Sequence, residues 1–158
     1  MKVSGLVATW LAVAMALTGC GGSDSHELPA VVLPALGLGD GVDMGSLTGP
    51  AVINIWATWC TPCLAELPDF QRASGEFRDV RFLGVDATGF GEDDESLEFL
   101  ADLGVTYSQF VDSDGVFAAD VQVTELPATL VVDDEGDVVF FHQGQVSYDE
   151  LSDHLADL

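Results

Sequence analysis

Ala51-Val52-Ile53-Asn54-Ile55-Trp56, followed two residues later by Trp59-Cys60-Thr61-Pro62-Cys63, is the stretch that decides the fold. The first six residues show no apolar–polar alternation, the mark of a strand covered on both faces. Behind the cysteines the pattern predicts a helix over residues 62–77, with Leu64, Leu67, Phe70 and Phe77 on one face. Pro62 suits its first turn, where a missing N–H costs nothing, and Pro68 is expected to kink it. A Cys-x-x-Cys where a strand hands over to a helix is first of all a redox arrangement. Two cysteines so spaced can close a small disulfide ring with little movement of the chain. Cys60 sits where unpaired N–H groups and the positive helix end favour an anion. The thiolate is the form that attacks disulfides, and thiol pKa values in such settings span about 3.5–7.5.

Upstream, residues 28–38 are apolar but broken by Pro29 and Pro34, and Gly37, Gly39 and Gly41 follow. An irregular strand pair at a sheet edge is expected here, extended again over residues 42–47. Downstream, residues 80–85 read as a second buried strand. Gly89-Phe90-Gly91 reads as a loop, and a helix opens with Glu92, Asp93, Asp94 and Glu95 and buries Leu97, Leu100 and Leu103. Strands are then predicted over 106–111, 128–132 and 137–142, with a short helix over 116–121. The last two strands form a hairpin about Asp134-Glu135-Gly136. Ser147, with Glu150 three residues on, opens a closing helix whose apolar face is Tyr148, Leu151, Leu155 and Leu158. The fold class is therefore α/β, a mixed central sheet flanked by helices, with an N-terminal strand or hairpin extension.

The chain is 158 residues long, room for one domain and a leader, and 48% of it is apolar. Its net charge is −23, and beyond Lys2 the only bases are Arg72, Arg78 and Arg81. Such a surface repels nucleic acid and gains nothing from an anionic membrane. It fits either an adaptation to high salt, where screening weakens self-repulsion, or simply a soluble acidic shell.

Residues 1–19 read as a targeting segment, with Lys2 ahead of an apolar run from Leu6 to Leu17 that is short for a permanent span. Leu17-Thr18-Gly19-Cys20 is similar to the bacterial lipoprotein box, in which the cysteine becomes the first mature residue and carries lipid on its sulfur. The competing account is an uncleaved anchor or a plain signal peptide. Two acyl chains would hold the protein stably where one would not. Residues 20–27 are then the lipidated cysteine and a flexible tether, with His26 an exposed linker residue. Residues 28–158 are the folded domain.

The segment from Asn54 to Cys63, together with Leu126-Pro127-Ala128-Thr129, resembles the thioredoxin fold, and within it the TlpA-like and ResA-like group. Those are membrane-tethered thiol–disulfide oxidoreductases outside the cytoplasm. The strand and helix order agrees from about Leu28 to the end. The resemblance implies that Cys60 is the attacking thiolate and Cys63 the more buried partner that resolves the mixed disulfide. Thr61 and Pro62 then set the redox poise, and Trp59 shields the disulfide on one side while Trp56 lies in the core. An X–Pro bond is cis in only about 5–6% of cases, but the resemblance implies a cis Pro127 facing the cysteines. Leu126 would then offer its backbone to an extended substrate, and Pro127 would keep metal off the thiols.

The resemblance also sets Glu66 near the cysteines as a tuner of their protonation; the alternative is a solvated helix residue. Asn54 stands where cytoplasmic thioredoxins carry an acid, and is expected to hydrogen-bond within its strand. His142 and His154 are each expected to be structural. No cofactor and no metal are expected, since a structural zinc usually needs four ligands. The partners implied are protein disulfides, such as those of apocytochromes c, and a membrane dithiol that recharges the pair. A monomer is expected. The alternatives are an oxidase that installs disulfides and, less well supported, a copper chaperone.

Overall fold

The computed structural model describes residues 26–88 and 93–158. The leader, Cys20, the tether as far as Ser25, the Gly89–Gly91 loop and Glu92 lie outside the described residues.

Two short strands open the chain, β1 (His26–Glu27) and β2 (Val32–Leu33), and β2 pairs antiparallel with β3 (Val42–Asp43). The central elements are β4 (Ala51–Trp56), α1 (Thr61–Glu76), β5 (Arg81–Asp86) and α2 (Asp93–Leu103). Then come β6 (Ser108–Val111), α3 (Val116–Asp120), β7 (Ala128–Val132), β8 (Asp137–Gln143) and α4 (Tyr148–Ala156). Among the described residues six strands form one sheet in the order β1-β8-β7-β4-β5-β6. β4 runs parallel to β5 and antiparallel to β7, and β5–β6 is parallel, so the sheet is mixed as expected. The strand–helix–strand connections supply the parallel pairs, and the tight turn after β7 supplies an antiparallel one.

All six residues of β4 are buried, as its unbroken apolar run requires. Its two faces serve different layers. Ala51, Ile53 and Ile55 join Leu83, Val85, Leu130, Val132, Met44 and Phe117 on one side. Val52 faces Phe70, Val131, Val146, Leu151 and Leu155 on the other, while Trp56 packs with Cys63, Leu67 and Leu100. Between Val52 and Trp56 that second face carries Asn54, so an amide points into the layer occupied by α1 and α4.

The helix over Thr61–Glu76 passes through Pro68 without ending there. Its buried stripe is Cys63, Glu66, Leu67, Phe70 and Ala73, so Leu64, expected inside, is exposed at 39%. Leu97 is likewise exposed, and Ser96 takes the buried place beside it. Residues 42–47 are not extended throughout: after β3 the chain makes a 3₁₀ turn over Met44–Ser46, capped by the Asp43 carboxylate accepting from Gly45 N at 3.1 Å. Gly45 is needed there, because a Cβ would lie 2.8 Å from the Ala30 Cα. Two residues assigned to the tether, His26 and Glu27, pair antiparallel with Val138 and Asp137 of β8. The N-terminal segment also covers the opposite edge, where Leu36 N donates to Gln109 O and Val111 N to Pro34 O, both at 2.9 Å. Ser147 caps α4 as expected, accepting from Glu150 N at 3.3 Å.

Candidate active site

At the C-terminal end of β4 the chain turns through Ala57, Thr58 and Trp59 and enters α1 with Cys60 as the N-cap residue. Cys60 and Cys63 form a disulfide, with sulfurs 2.06 Å apart and Cα atoms 5.3 Å apart. The Cys60 sulfur also accepts from Cys63 N at 3.3 Å, so it sits among the helix's free donors. Cys60 retains 4% exposure and Cys63 none. Thr61 and Pro62, between them, face solvent. Trp59, just before the pair, is 67% exposed. Trp56 is in the core, stacked on Phe99 with centroids 5.4 Å apart.

The turn before Cys60 is held from below. Thr58 N donates to Thr88 Oγ1 at 3.3 Å. The buried carboxylate of Asp86, at the end of β5, accepts from Thr88 N at 2.8 Å and from the hydroxyls of Thr88 and Ser96. One acid thus joins the active-site turn, β5 and α2.

The Leu126–Pro127 peptide is cis. Pro127 is buried, and Leu126 packs on the apolar cluster that contains Cys60 and Cys63. Among the described residues no hydrogen bond occupies the Leu126 backbone, whereas Pro127 O accepts from Gly144 N at 2.7 Å. A sequence-remote loop thus packs on the apolar cluster that holds the cysteines, with the Leu126 peptide edge left open.

Glu66 is wholly buried, one helical turn past Cys63 on the same stripe. Residues three apart on a helix are neighbours, so Glu66 follows Cys63 on the same side of α1. Its Oε1 accepts from Asn54 Nδ2 at 2.7 Å and its Oε2 from Val146 N at 3.0 Å. Burial pushes its pKa up from 4.5 to about 7, against the pull of the Val146 and Asn54 donors, with a small further push from Asp69. Asn54 does not bond within its strand as expected: its amide is committed to Glu66, and its Oδ1 accepts from Tyr107 OH at 3.4 Å. Burial, with Glu66 nearby, also raises the Tyr107 pKa, so the phenol stays protonated.

Asn54 belongs to a row running across the sheet, Gln109, Gly84, Asn54, Thr129 and His142, in register on successive strands. At Gly84 the Gln109 amide lies across the space a Cβ would take, so any side chain there would push that amide off its partners. That amide accepts from Trp56 Nε1 at 2.9 Å and donates to Tyr107 O at 3.3 Å. Thr129 Oγ1 is buried and has no hydrogen-bond partner among the described residues. His142 and His154 both lie against the Phe140 ring, at 6.0 and 3.8 Å between centroids. Among the described residues no three His, Cys, Asp or Glu side chains group as metal ligands would.

A cysteine pair at a helix mouth with a cis-proline loop packed on it now stands beside a match to a sequence family, AhpC/TSA, over residues 25–141. The chain belongs to the AhpC/TSA family. Within reach of that family it is 32% identical over 116 residues to the thiol:disulfide interchange protein DsbE of Haemophilus influenzae, covering 66% of this chain and 62% of that one. It is 27% identical over 137 residues to the thiol-disulfide oxidoreductase ResA of Bacillus subtilis, covering 84% and 74%. The chain spans about 62% of the length of several curated relatives. Among solved structures, a secreted Mycobacterium tuberculosis disulfide oxidoreductase homologous to Escherichia coli DsbE superposes with a TM-score of 0.73. It shares 27% identity, with 82% of this chain and 96% of that one covered. Mycobacterium tuberculosis DsbF, solved in mixed oxidised and reduced forms, gives 0.73 at 30% identity over 81% and 94%. The thioredoxin fold expected from the sequence is the fold of these neighbours.

Proposed function

We propose that this chain is an extracytoplasmic thiol–disulfide oxidoreductase that reduces protein disulfides. The observation that carries the reading is the Cys60–Cys63 disulfide at the start of α1, with the cis Leu126–Pro127 loop packed beside it. In the reduced protein the Cys60 thiolate attacks one sulfur of a substrate disulfide. That S–S bond breaks, a mixed disulfide forms, and the first substrate sulfur leaves as a thiolate. The Cys63 thiol gives up its proton, with Glu66 the nearest candidate acceptor, and attacks the Cys60 sulfur. The second substrate thiol leaves, and two electrons have passed from this protein to its substrate. Leu126 would hold the substrate as a short added strand.

The secreted relative and the sequence of residues 1–20 support a site of action outside the cytoplasm, with Cys20 as the lipid anchor. The resemblance of the active-site segment to the TlpA-like and ResA-like group favours the reducing direction, with apocytochromes c as the substrate class and a membrane dithiol as the donor; the relatives named DsbE and ResA share the thiol–disulfide chemistry. The domain is proposed to work as a monomer.

Cys60→Ser is expected to abolish reduction of a model protein disulfide, and Cys63→Ser to trap the mixed disulfide on Cys60, visible by non-reducing electrophoresis. Retained turnover in Cys60→Ser would refute the assigned roles. Equilibration with glutathione then decides direction. A potential near about −270 mV fits a reductase, and one near about −120 mV would turn the protein into an oxidase.

A further inference from the structure

Glu66 has two hydrogen-bond partners, and both are donors: the Asn54 amide and the Val146 N–H. That set suits a carboxylate. A protonated carboxyl has an O–H of its own, and neither Val146 N–H nor the present face of the Asn54 amide can accept it. Asn54 alone of the two can change sides. Its oxygen and nitrogen differ little in size, and half a turn about its last side-chain bond exchanges them.

We infer that Asn54 is a positioning residue with two settings, its amide turning over when Glu66 gains or loses a proton and carrying that change to the Tyr107 hydroxyl. In the ionised setting Tyr107 O–H donates to Asn54 Oδ1, and Asn54 Nδ2 donates to Glu66 Oε1. In the protonated setting Glu66 O–H donates to Asn54 Oδ1, and Nδ2 donates to the Tyr107 oxygen. Each setting holds the same number of bonds within the trio and the Val146 N–H. The proton comes from a cysteine thiol or from solvent, and no other bond is made or broken. Tyr107 suits the outer end because a phenol both donates and accepts, and because it lines a surface cavity of about 560 Å³ with Gln71, Ser74 and Thr106.

The inference rests on the proposed thiol chemistry only for the benefit it confers. The pair's protonation would be reported at Tyr107, beside the surface cavity it lines, without exposing Glu66. Among the described residues the titratable groups set beside Glu66 are Asp69 on its own helix, Tyr107 before β6, and Cys63 one turn earlier on the same buried stripe. In the oxidised protein the cysteines do not titrate, so the oxidised full chain is the material to measure.

The experiment is an NMR titration of that chain, following the Glu66 carboxyl carbon and the contacts of the Asn54 amide protons. Below the Glu66 midpoint those protons should show close contacts to the Tyr107 ring, and above it they should lose them. An amide that keeps the same neighbours on both sides of the midpoint overturns the proposal. Asn54→Leu should tighten Glu66's hold on its proton about tenfold, since a donor to a charged oxygen is worth more than an acceptor from a neutral one. If instead Thr129→Val moves the midpoint and Asn54→Leu does not, the acceptor is the unpartnered Thr129 hydroxyl and the proposal is wrong. Glu66→Gln tests the underlying reading separately. If that variant leaves the pH profile of cysteine alkylation unchanged, Glu66 has no part in the thiol chemistry, whatever the amide does.

Discussion

Glu66 and Asp86 are both carboxylates buried beside the central strand, and they are furnished in opposite ways. Asp86 accepts from one backbone N–H and two hydroxyls, supplied by Thr88 and Ser96, and links three pieces of chain. Glu66 has one amide and one backbone N–H, too few to offset its burial, and its pKa rises to about 7. Hydroxyl donors can follow a charge by rotating. A fixed N–H cannot, and a planar amide can only turn over as a whole. The richly supplied acid is therefore a structural tie and the poorly supplied one a titrating group, although both lie within one helical turn or one strand end of the cysteines.

The comparison breaks most visibly if Asp86 proves dispensable. Asp86→Ala removes the acceptor for one buried and two half-buried donors, and the unfolding free energy should fall by about 3 kcal/mol. Because Thr88 also holds Thr58 N, the turn before Cys60 should loosen as well. Urea unfolding measures the first effect, and amide exchange at Thr58 and Trp59 the second. A loss below about 1 kcal/mol would mean that the hydroxyls find water instead.

Glu66 should act with the opposite sign. Its folded pKa of about 7 exceeds the ordinary 4.5, so the folded state binds more protons than the unfolded chain between those values. Stability should accordingly fall as pH rises from about 4.5 to 7, then level off, by about 3 kcal/mol in all. Glu66→Gln holds a neutral side chain at every pH and should flatten this slope. Urea midpoints for both proteins across that window test it. A parent protein with a flat profile would show that burial does not raise the Glu66 pKa.

What the sequence disclosed about these two acids differed for a physical reason. The cysteine pair, the strand before it, the proline in the first turn and the Ser147 cap all depend on residues a few positions apart, and each was readable. The cis Leu126–Pro127 peptide came from the resemblance, not from local propensity. Glu66 was marked by its spacing from Cys63, yet its partners lie 12 and 80 positions away, and Tyr107 is 53 from Asn54. Only the register of the folded sheet brings them together. Asp86 gave no signal, since it closes a strand whose pattern ends at Val85. The exposed Leu64 and Leu97 show the same limit: a helical period names a stripe but cannot say that Glu66 or Ser96 belongs inside it.

The smallest expected effect separates both buried acids from the rest of the negative charge. Most of the 27 acids face solvent with only three arginines in the described chain to meet them, and a single ion pair, Arg72–Glu76, forms among the described residues. Arg72 also stacks over the Tyr148 ring, and Arg81 donates to Thr48 O, so two of the three arginines are already engaged. Salt shortens the screening length from about 10 Å at 0.1 M to about 3 Å at 1 M. It should thereby relieve repulsion in the shell and raise stability on the order of 1 kcal/mol. A buried group is screened much less, so the Asp86→Ala loss and the Glu66 pH slope should persist in 1 M salt. A slope that vanished with salt would show that the shell, and not burial, raises the Glu66 pKa.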